Sequence, residues 1–295
     1  MTTTRPAADV ERAHLMVRHV TELYYGADAE EAHTEVRKTP LDTGLQRVIT
    51  SKLEVQPQTL MRKHRDYFGN VVHHFDVLEP HRALCITAES VVETTHAIAC
   101  GPEAEPDRRS WEERWAEYLH PSPFVPDLPE YATIEHRVTP DLGAEEFTTA
   151  LEELGAVLKR DFVYHPGLTE VDSSPAVFFE QGGGVCQDFS HVALGVLRRA
   201  RVPARYASGY IYDPATDPAQ STLRGASASH AWVQAWHAEL GWVGLDPTND
   251  KLVDWQYVRV ALGRDYSDVR PVRGVFRGSG EQTLSVAVEM TRLDR

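Results

Sequence analysis

The stretch GGGVCQDF, residues 182–189, places a cysteine directly after three glycines and one valine. Two later motifs supply a histidine and an aspartate: His230 in SHAW and Asp246 in GLDPT. A cysteine thiol is mostly protonated near neutral pH, so a thiol nucleophile needs an imidazole to hold its proton and a carboxylate to orient the ring. The order Cys186, His230, Asp246 therefore predicts a nucleophile, a base and an orienting acid.

The residues around Cys186 favour this chemistry. Glycines allow a tight turn beside the sulfur, and the apolar spacing from Phe189 to Arg199 predicts a helix. Cys186 is then expected at a helix N-terminus, where free N–H groups favour a thiolate and where the Cys186 N–H can bind an oxyanion. Asp188 in the first turn opposes a thiolate unless a cation such as Arg205 neutralises it.

Three long segments around these residues resemble the catalytic blocks of bacterial transglutaminase-like proteins. The resemblance implies a papain-like core in which the helix bearing Cys186 packs on an antiparallel sheet or barrel, with Cys186 as nucleophile, His230 as base and Asp246 as orienting acid. Three further segments are similar to patterns of the family's N-terminal domain and C-terminal end, so the resemblance spans nearly the whole chain. The segments are GVCQDFSHVALGVLRRARVPARYASGY (184–210), SHAWVQAW (229–236), GWVGLDPTND (241–250), VTELYY (20–25), DYFGN (66–70) and GRDYSDV (263–269).

Each of the three residues also has a simpler interpretation. An isolated cysteine is commonly a small buried apolar residue. With 14 histidines in the chain, most are structural, and His230 alone could be one of them. Asp246 precedes a proline and could merely start a turn. The three residues in this order, each within its own motif, favour the catalytic interpretation.

Composition limits the class of protein. A chain of 295 residues with 42% hydrophobic content is long enough for two domains with separate cores. Its 30 basic and 44 acidic residues give a net charge of -14, which opposes binding to nucleic acid or to an anionic membrane surface. No apolar run approaches the roughly 20 residues of a membrane span, and residues 1–8 lack a secretory signal pattern. We expect a soluble, cytoplasmic protein.

The cysteines and histidines predict no metal site. Cys85, Cys100 and Cys186 are too few and too unevenly spaced for a disulfide framework or a structural zinc site, and a reduced compartment suits a catalytic thiol. His73 and His74 occupy a strand-like run, where successive side chains point to opposite faces and cannot chelate one ion. We expect no metal and no cofactor.

The first part of the chain has strand patterns. Residues 1–100 alternate apolar and polar positions, with a hairpin expected at Gly69-Asn70. They predict an all-β N-terminal domain, which the resemblance identifies as sandwich-like.

The rest of the chain is mixed. Residues 101–142 form a proline-rich linker with a short helix at 111–119, and residues 143–295 form the catalytic core. The core begins with a helix over 143–160 and includes the strand-like runs of 274–292. The predicted fold class is therefore α+β.

Other side chains are candidates for supporting roles. Gln187 and Tyr164 are candidates for a second oxyanion donor. Tyr210 and Trp232, with Trp236, could shape an acyl-binding groove, although aromatic residues in strands are more often core. His191 lies on the predicted helix and is given no role.

The expected reaction is attack of the Cys186 thiolate on an amide carbonyl, followed by transfer of the acyl group to water or to an amine. The enzyme is then a peptidase or amidase, or an acyltransferase, acting on a protein or peptide amide. No calcium-type loop of spaced carboxylates is present, which makes a calcium-switched cross-linker less favoured. The alternative is a non-catalytic peptide- or protein-binding module on the same fold. Proximity of Cys186 to His230 distinguishes the two, whereas hydrolysis against transfer and the oligomeric state are left open.

Overall fold

The computed structural model describes residues 12–101, 110–215, 223–225 and 228–293. Residues 1–11, which contain the segment tested for a secretory signal, lie outside the described residues, as does 102–109 of the linker. No helix among the described residues is both long and apolar enough to cross a membrane.

The N-terminal part of the chain forms two antiparallel sheets. The first contains β1 (Arg12–Ala29), β3 (Gln46–Gln56) and β6 (His81–Thr95), and the second contains β2 (Glu31–Val36), β4 (Met61–Arg65) and β5 (Val71–Val77). Alternate side chains of β1 are buried, as a strand with one covered face requires. The cluster between the sheets includes Leu23 and Ile86 from the first and Phe75 and Val77 from the second. The expected all-β N-terminal domain is confirmed.

The hairpin prediction is also confirmed. Strands β4 and β5 pair antiparallel, and the connecting turn contains Gly69 with a φ of +80°. This left-handed backbone conformation favours glycine, and the glycine of Gly69-Asn70 is the residue from which the turn was predicted.

The C-terminal strands correct the predicted domain boundary. The chain ends with β14 (Val272–Arg277) and β15 (Gln282–Leu293). Strand β15 pairs with β1, with Leu284 opposite Leu23, and β14 pairs with β2. These strands therefore complete the N-terminal sheets and do not belong to the predicted 143–295 core. A period-two pattern predicts a strand, but it does not specify the partner strand.

The second unit combines helices with a five-stranded antiparallel sheet. Its helices are α1 (Trp111–Leu119), a 3-10 helix (Pro129–Thr133), α2 (Ala144–Asp161), α3 (Pro175–Gln181), α4 (Cys186–Arg199) and α5 (Tyr266–Val269). The sheet has the order β12-β11-β10-β9-β13, with β9 (Ala204–Ile211), β10 (His230–His237), β11 (Gly241–Asp246), β12 (Lys251–Leu252) and β13 (Tyr257–Gly263). A short parallel pair, β7 (Val163–Tyr164) and β8 (Gly183–Gly184), precedes α4.

Helix α4 is central to this unit. It packs on β9 and β10, and apolar side chains such as Phe189, Val192 and Val196 are fully covered. The helix begins at Cys186, three residues before the start suggested by its apolar spacing. A cysteine-bearing helix on an antiparallel sheet confirms the predicted papain-like α+β core.

The two units meet at β13, which is an edge strand of the second sheet. The Gln46 side chain accepts a hydrogen bond from the Arg259 N–H (2.8 Å) and donates one to its carbonyl (2.9 Å). The Asn70 side chain binds the main chain of Leu262 in the same way, at 2.7 and 2.8 Å. The side-chain amides of Gln46 and Asn70 thus form the hydrogen bonds that the main chain of a further strand would form at this edge.

We expect Asn70→Ala to destabilise the protein by about 1–3 kcal/mol, because it removes both partners of the buried Leu262 amide group. Asn70 is fully buried, whereas Gln58 is exposed, so Gln58→Ala serves as the control for loss of a side-chain amide. Urea unfolding followed by tryptophan fluorescence measures both. Equal stability of the two variants would contradict a stabilising role for this contact.

Candidate active site

Cys186 is the first residue of α4, and its side chain is partly buried. The N–H groups of Asp188 and Phe189 donate to the Val185 carbonyl at 2.9 and 3.1 Å. The N–H groups of Cys186 and Gln187 remain at the open end of the helix, with no main-chain acceptor among the residues that the structure describes. The positive end of the helix dipole therefore lies at the thiol.

Asp188 stabilises the turn that leads into this helix. Its Oδ2 accepts hydrogen bonds from Val185 N (2.8 Å) and Thr169 Oγ1 (2.6 Å), and burial raises the pKa of the carboxyl. A Cβ on Gly184 would lie 2.4 Å from the same oxygen, which explains the glycine. Arg205, the cation suggested to neutralise Asp188, is not among the groups that shift its pKa and donates to Gln234 (2.9 Å) on the neighbouring strand.

The antiparallel pairing of β10 and β11 brings His230 and Asp246 together. His230 opens β10 and Asp246 ends β11, so both lie at the same end of the sheet. Nε2 of His230 donates to Oδ2 of Asp246 at 2.6 Å, and both side chains are fully buried. On the other side of the ring, Nδ1 has no partner with full hydrogen-bond geometry among the described residues, and the Cys186 thiol lies close enough to interact with the imidazole.

Three further residues fix the Asp246 carboxylate. Oδ2 accepts from the Tyr257 hydroxyl (2.8 Å) and from Asn249 Nδ2 (2.7 Å). Oδ1 accepts from the main-chain N–H groups of Thr248 (3.0 Å) and Asn249 (3.1 Å). A buried carboxylate with this many donors stays ionised and has one orientation.

The charges of His230 and Asp246 shift the pKa values of both groups. Burial alone would lower the pKa of His230, but the Asp246 carboxylate and Cys186 outweigh burial and raise this pKa to about 10. Burial opposes ionisation of Asp246 as well, yet the His230 charge holds the pKa of the carboxyl below its usual value. The raised pKa of His230 favours the imidazolium, and a positive charge beside the sulfur favours a thiolate.

The segment 223–225 covers the free side of the His230 ring. Asn249 holds it, because Oδ1 accepts from Arg224 N (2.8 Å) and Nδ2 donates to Arg224 O (3.2 Å). Gly225 has a φ of +84°, and a Cβ there would lie 2.3 Å from His230 Nδ1. Only glycine allows the main chain to pass so close to this nitrogen.

The structure separates the other candidate residues. Tyr164 on β7 pairs with Gly184, two residues before Cys186, and thus lies at the site. Gln187 is at the site too, but its side-chain Nε2 donates to the Val171 carbonyl (2.8 Å) and fixes a loop. Phe124 stacks on His191, whose Nε2 accepts from Tyr266 N (3.3 Å), so His191 anchors α5.

The predicted aromatic groove is wrong. Tyr210 lies at the contact between the two units, where its hydroxyl binds His19 Nδ1 (2.8 Å). Trp232 is fully buried against Tyr257, and Trp236 packs on Trp115. All three are covered from solvent because their strands lie between other layers, so none forms the wall of an open groove.

Sequence reasoning missed Asn249, Tyr257 and Gly225. Asn249 follows Asp246 by three residues, and a turn directly after a carboxylate is a local signal that could have identified it. Gly225 precedes His230 by five residues and Tyr257 follows Asp246 by eleven, but no local pattern indicates that either contacts the pair. No cluster of three or more His, Cys, Asp or Glu suited to a metal ion occurs within the described part of the chain.

Two family models match the chain. Residues 15–93 match the bacterial transglutaminase-like N-terminal region, and residues 136–247 match the transglutaminase-like superfamily. The second match includes Cys186, His230 and Asp246.

The proteins to which the chain is similar cover different shares of its length. An uncharacterized protein of Mycobacterium leprae is 37% identical over 95% of this chain and 99% of its own length, and one of Mycobacterium tuberculosis is 33% identical over 93% and 91%. A protein-glutamine gamma-glutamyltransferase of Pseudomonas aeruginosa is 31% identical over 87 residues, which is 30% of this chain and 13% of that protein. A solved structure from Cytophaga hutchinsonii, provisionally described as a cysteine protease, matches with a TM-score of 0.71 and 18% identity over 97% of this chain and 92% of its own. That likeness shows a shared fold.

Proposed function

This chain belongs to the transglutaminase-like superfamily, and we propose that it is a thiol-dependent enzyme that cleaves amide bonds through an acyl-enzyme on Cys186. One observation carries the proposal: His230 is held by Asp246 at 2.6 Å, and its ring interacts on the other side with the thiol at a helix N-terminus. This arrangement supports the roles of Cys186 as nucleophile, His230 as base and Asp246 as orienting acid.

The proposed reaction proceeds in two steps. The Cys186 thiolate attacks the carbonyl carbon, and the C–N bond breaks as the His230 imidazolium gives its proton to the departing amine. Neutral His230 then takes a proton from water or a second amine, which attacks the thioester and releases the thiolate. Water yields a carboxylic acid, and an amine yields a new amide.

The oxyanion is proposed to bind at the start of α4. The N–H groups of Cys186 and Gln187 are available there, and they point from the positive end of the helix. The Gln187 side chain is already bonded to Val171, so the main chain of this residue is the better donor. Tyr164 is retained as the candidate for a further donor from a side chain.

The substrate is proposed to be a protein or peptide amide, with no nucleic acid, membrane or cofactor involved. The three cysteines are free thiols in the structure, and a cytoplasmic location would preserve them. A peptidase and an acyltransferase share the same first step. Hydroxylamine added to a turnover assay traps the thioester as a hydroxamate, and the ratio of hydroxamate to free acid measures the acceptor preference.

The experiment that tests the proposal needs no substrate. Iodoacetamide alkylation, followed by mass spectrometry as a function of pH, measures the reactivity of Cys186 against Cys85 and Cys100 in the same chain. Fast alkylation of Cys186 that persists well below pH 7 and is slowed by His230→Ala is expected, because the imidazolium stabilises the thiolate. Alkylation like that of an ordinary thiol, unaffected by His230→Ala, would favour a binding module instead.

The pH dependence of turnover follows from the raised pKa of His230. The imidazolium that protonates the leaving amine is present below its pKa of about 10 and is lost as the pH rises through that value. We expect kcat to stay level across neutral pH and to fall near pH 10. A fall centred near pH 6.5, the value of an ordinary histidine, would contradict this assignment.

A further inference from the structure

Two partly buried tyrosines lie close to the Cys186 thiol, in addition to the fully buried Tyr206. Tyr164 pairs through β7 with Gly184, and Tyr266 begins α5, where its N–H donates to His191 on the helix of Cys186. Burial raises the pKa of Tyr164 to about 12 and raises that of Tyr266, and the charge of Cys186 adds to both shifts. Both phenols are therefore near enough to the sulfur to respond to its ionisation.

Each tyrosine carries an arginine on its ring. The Arg224 Cζ lies 5.5 Å from the centre of the Tyr164 ring. The Arg270 Cζ lies 5.7 Å from the Tyr266 ring and 5.6 Å from the Phe124 ring. At this range a guanidinium is attracted to an aromatic face, so both positive charges are held beside groups that border the thiol.

Neither guanidinium forms an ion pair with a carboxylate of the residues that the structure describes. Other arginines of the same unit do: Arg201 pairs with Glu112, and Arg264 pairs with Asp268 at 2.9 Å. Nε of Arg270 is buried, again with no partner in the described part of the chain. The Asn249 side chain binds both the N–H and the carbonyl of Arg224, so the backbone that carries the Arg224 guanidinium is held in place.

The nearby carboxylates are already bonded to other groups. Asp246 and Asp188 are buried and bonded within the site, and Asp265 is bonded to Ser267 and to Phe124 N. The exposed Glu170 and Asp172 are not among the charges that act on Tyr164 or Tyr266. Arg224 and Arg270 thus add positive charge beside two rings that border the thiol, next to the His230–Asp246 pair, in a chain whose net charge is -14.

We infer that the enzyme selects acidic amide substrates, with carboxylates next to the scissile amide, and that Arg224 and Arg270 are its specificity-determining residues. The inference rests on the proposed function. A substrate carboxylate at either arginine supplies the missing ion-pair partner while its carbonyl carbon is at the sulfur. The nearest chemical class is a peptide with Asp or Glu on one or both sides of the reactive amide.

Two alkylating reagents that differ in charge test the inference. Iodoacetate carries a carboxylate, and iodoacetamide of nearly the same shape is neutral. We expect the rate ratio of iodoacetate to iodoacetamide to be higher at Cys186 than at the exposed Cys100. We expect Arg224→Gln and Arg270→Gln each to lower the ratio at Cys186 by about two- to fivefold, as for exposed ion pairs. High salt should lower the ratio as well, because it screens these charges.

The controls separate charge from shape and from folding. Arg224→Lys and Arg270→Lys keep the charge and should retain most of the ratio. Arg273→Gln removes an exposed arginine on β14 of the N-terminal sheets and should leave the ratio unchanged. With peptide amides, the matched expectation is a lower KM for Asp-flanked than for Asn-flanked substrates, with this preference lost in the glutamine variants.

The outcomes distinguish the two proposals. If iodoacetamide alkylates Cys186 rapidly and in a His230-dependent way, but both glutamine variants keep the wild-type ratio, the acidic-substrate inference is overturned and the proposed function stands. If Cys186 reacts slowly and independently of His230, the proposed function fails and the substrate inference fails with it.

Discussion

Asp246→Asn is expected to lower kcat/KM by about 10³- to 10⁴-fold while leaving the fold intact. The carboxylate accepts a 2.6 Å hydrogen bond from His230 Nε2 and provides the charge that keeps the ring protonated. An asparagine keeps the size and one acceptor oxygen, but its amide can present a donor to Nε2. The imidazole then favours the tautomer with its proton on Nδ1, facing the thiol, and can no longer accept the thiol proton.

Two measurements establish that this loss is chemical. Thermal unfolding of Asp246→Asn shows whether the buried turn survives, and the pH profile of Cys186 alkylation shows whether the thiolate is lost. We expect the alkylation profile to move toward that of an ordinary thiol. Asp76→Asn changes an exposed carboxylate on β5 and should affect neither readout. Unchanged activity in Asp246→Asn would remove Asp246 from the mechanism.

The sequence was sufficient to predict the elements that hold the candidate triad. The glycines before Cys186 and the apolar spacing after it are local signals, and they predicted a helix with the thiol at its first turn. The His230 and Asp246 motifs begin and end neighbouring strands, which a strand pattern and a turn signal indicate. Each of these features depends on residues close together in the chain.

Features that depend on distant contacts were not predictable in this way. Strands β14 and β15 have ordinary strand patterns, but only their pairing with β2 and β1 shows that they belong to the N-terminal sheets. Tyr210 and Trp232 lie on strands near the site, yet neighbouring layers cover them. The side on which an aromatic residue of a strand is buried depends on what packs there, which the local sequence does not contain.

The residues that fix His230 show the same limit within the site. Asn249 connects Asp246 to Arg224, which lies 25 positions before Asn249 in the chain, and the contact with Arg224 is visible only in the fold. The site therefore contains, besides the three triad residues, a wall formed by the segment 223–225. The segment 223–225 shields Nδ1 of His230 from water on one side, which strengthens the interaction between the ring and the thiolate.

Gly225→Ala tests this wall and is expected to reduce Cys186 alkylation and turnover by at least about 100-fold. A Cβ at this position would lie 2.3 Å from His230 Nδ1, closer than two non-bonded atoms can approach. Either the ring turns away from the sulfur or the segment 223–225 leaves Asn249. Both changes displace the base from the nucleophile, and a displacement of about 1 Å is enough for a loss of this size.

Gly69→Ala is the matched control because Gly69 has nearly the same backbone, with a φ of +80°, but no atom within 4 Å of its added Cβ. It therefore reports the cost of alanine in the left-handed region alone, about 1–2 kcal/mol. We expect Gly69→Ala to lose about this much stability, measured by thermal unfolding, and to keep thiolate reactivity, whereas Gly225→Ala loses reactivity. Equal reactivity in the two variants would show that the main chain at 225 moves without disturbing His230, and the wall would then have no part in positioning the base.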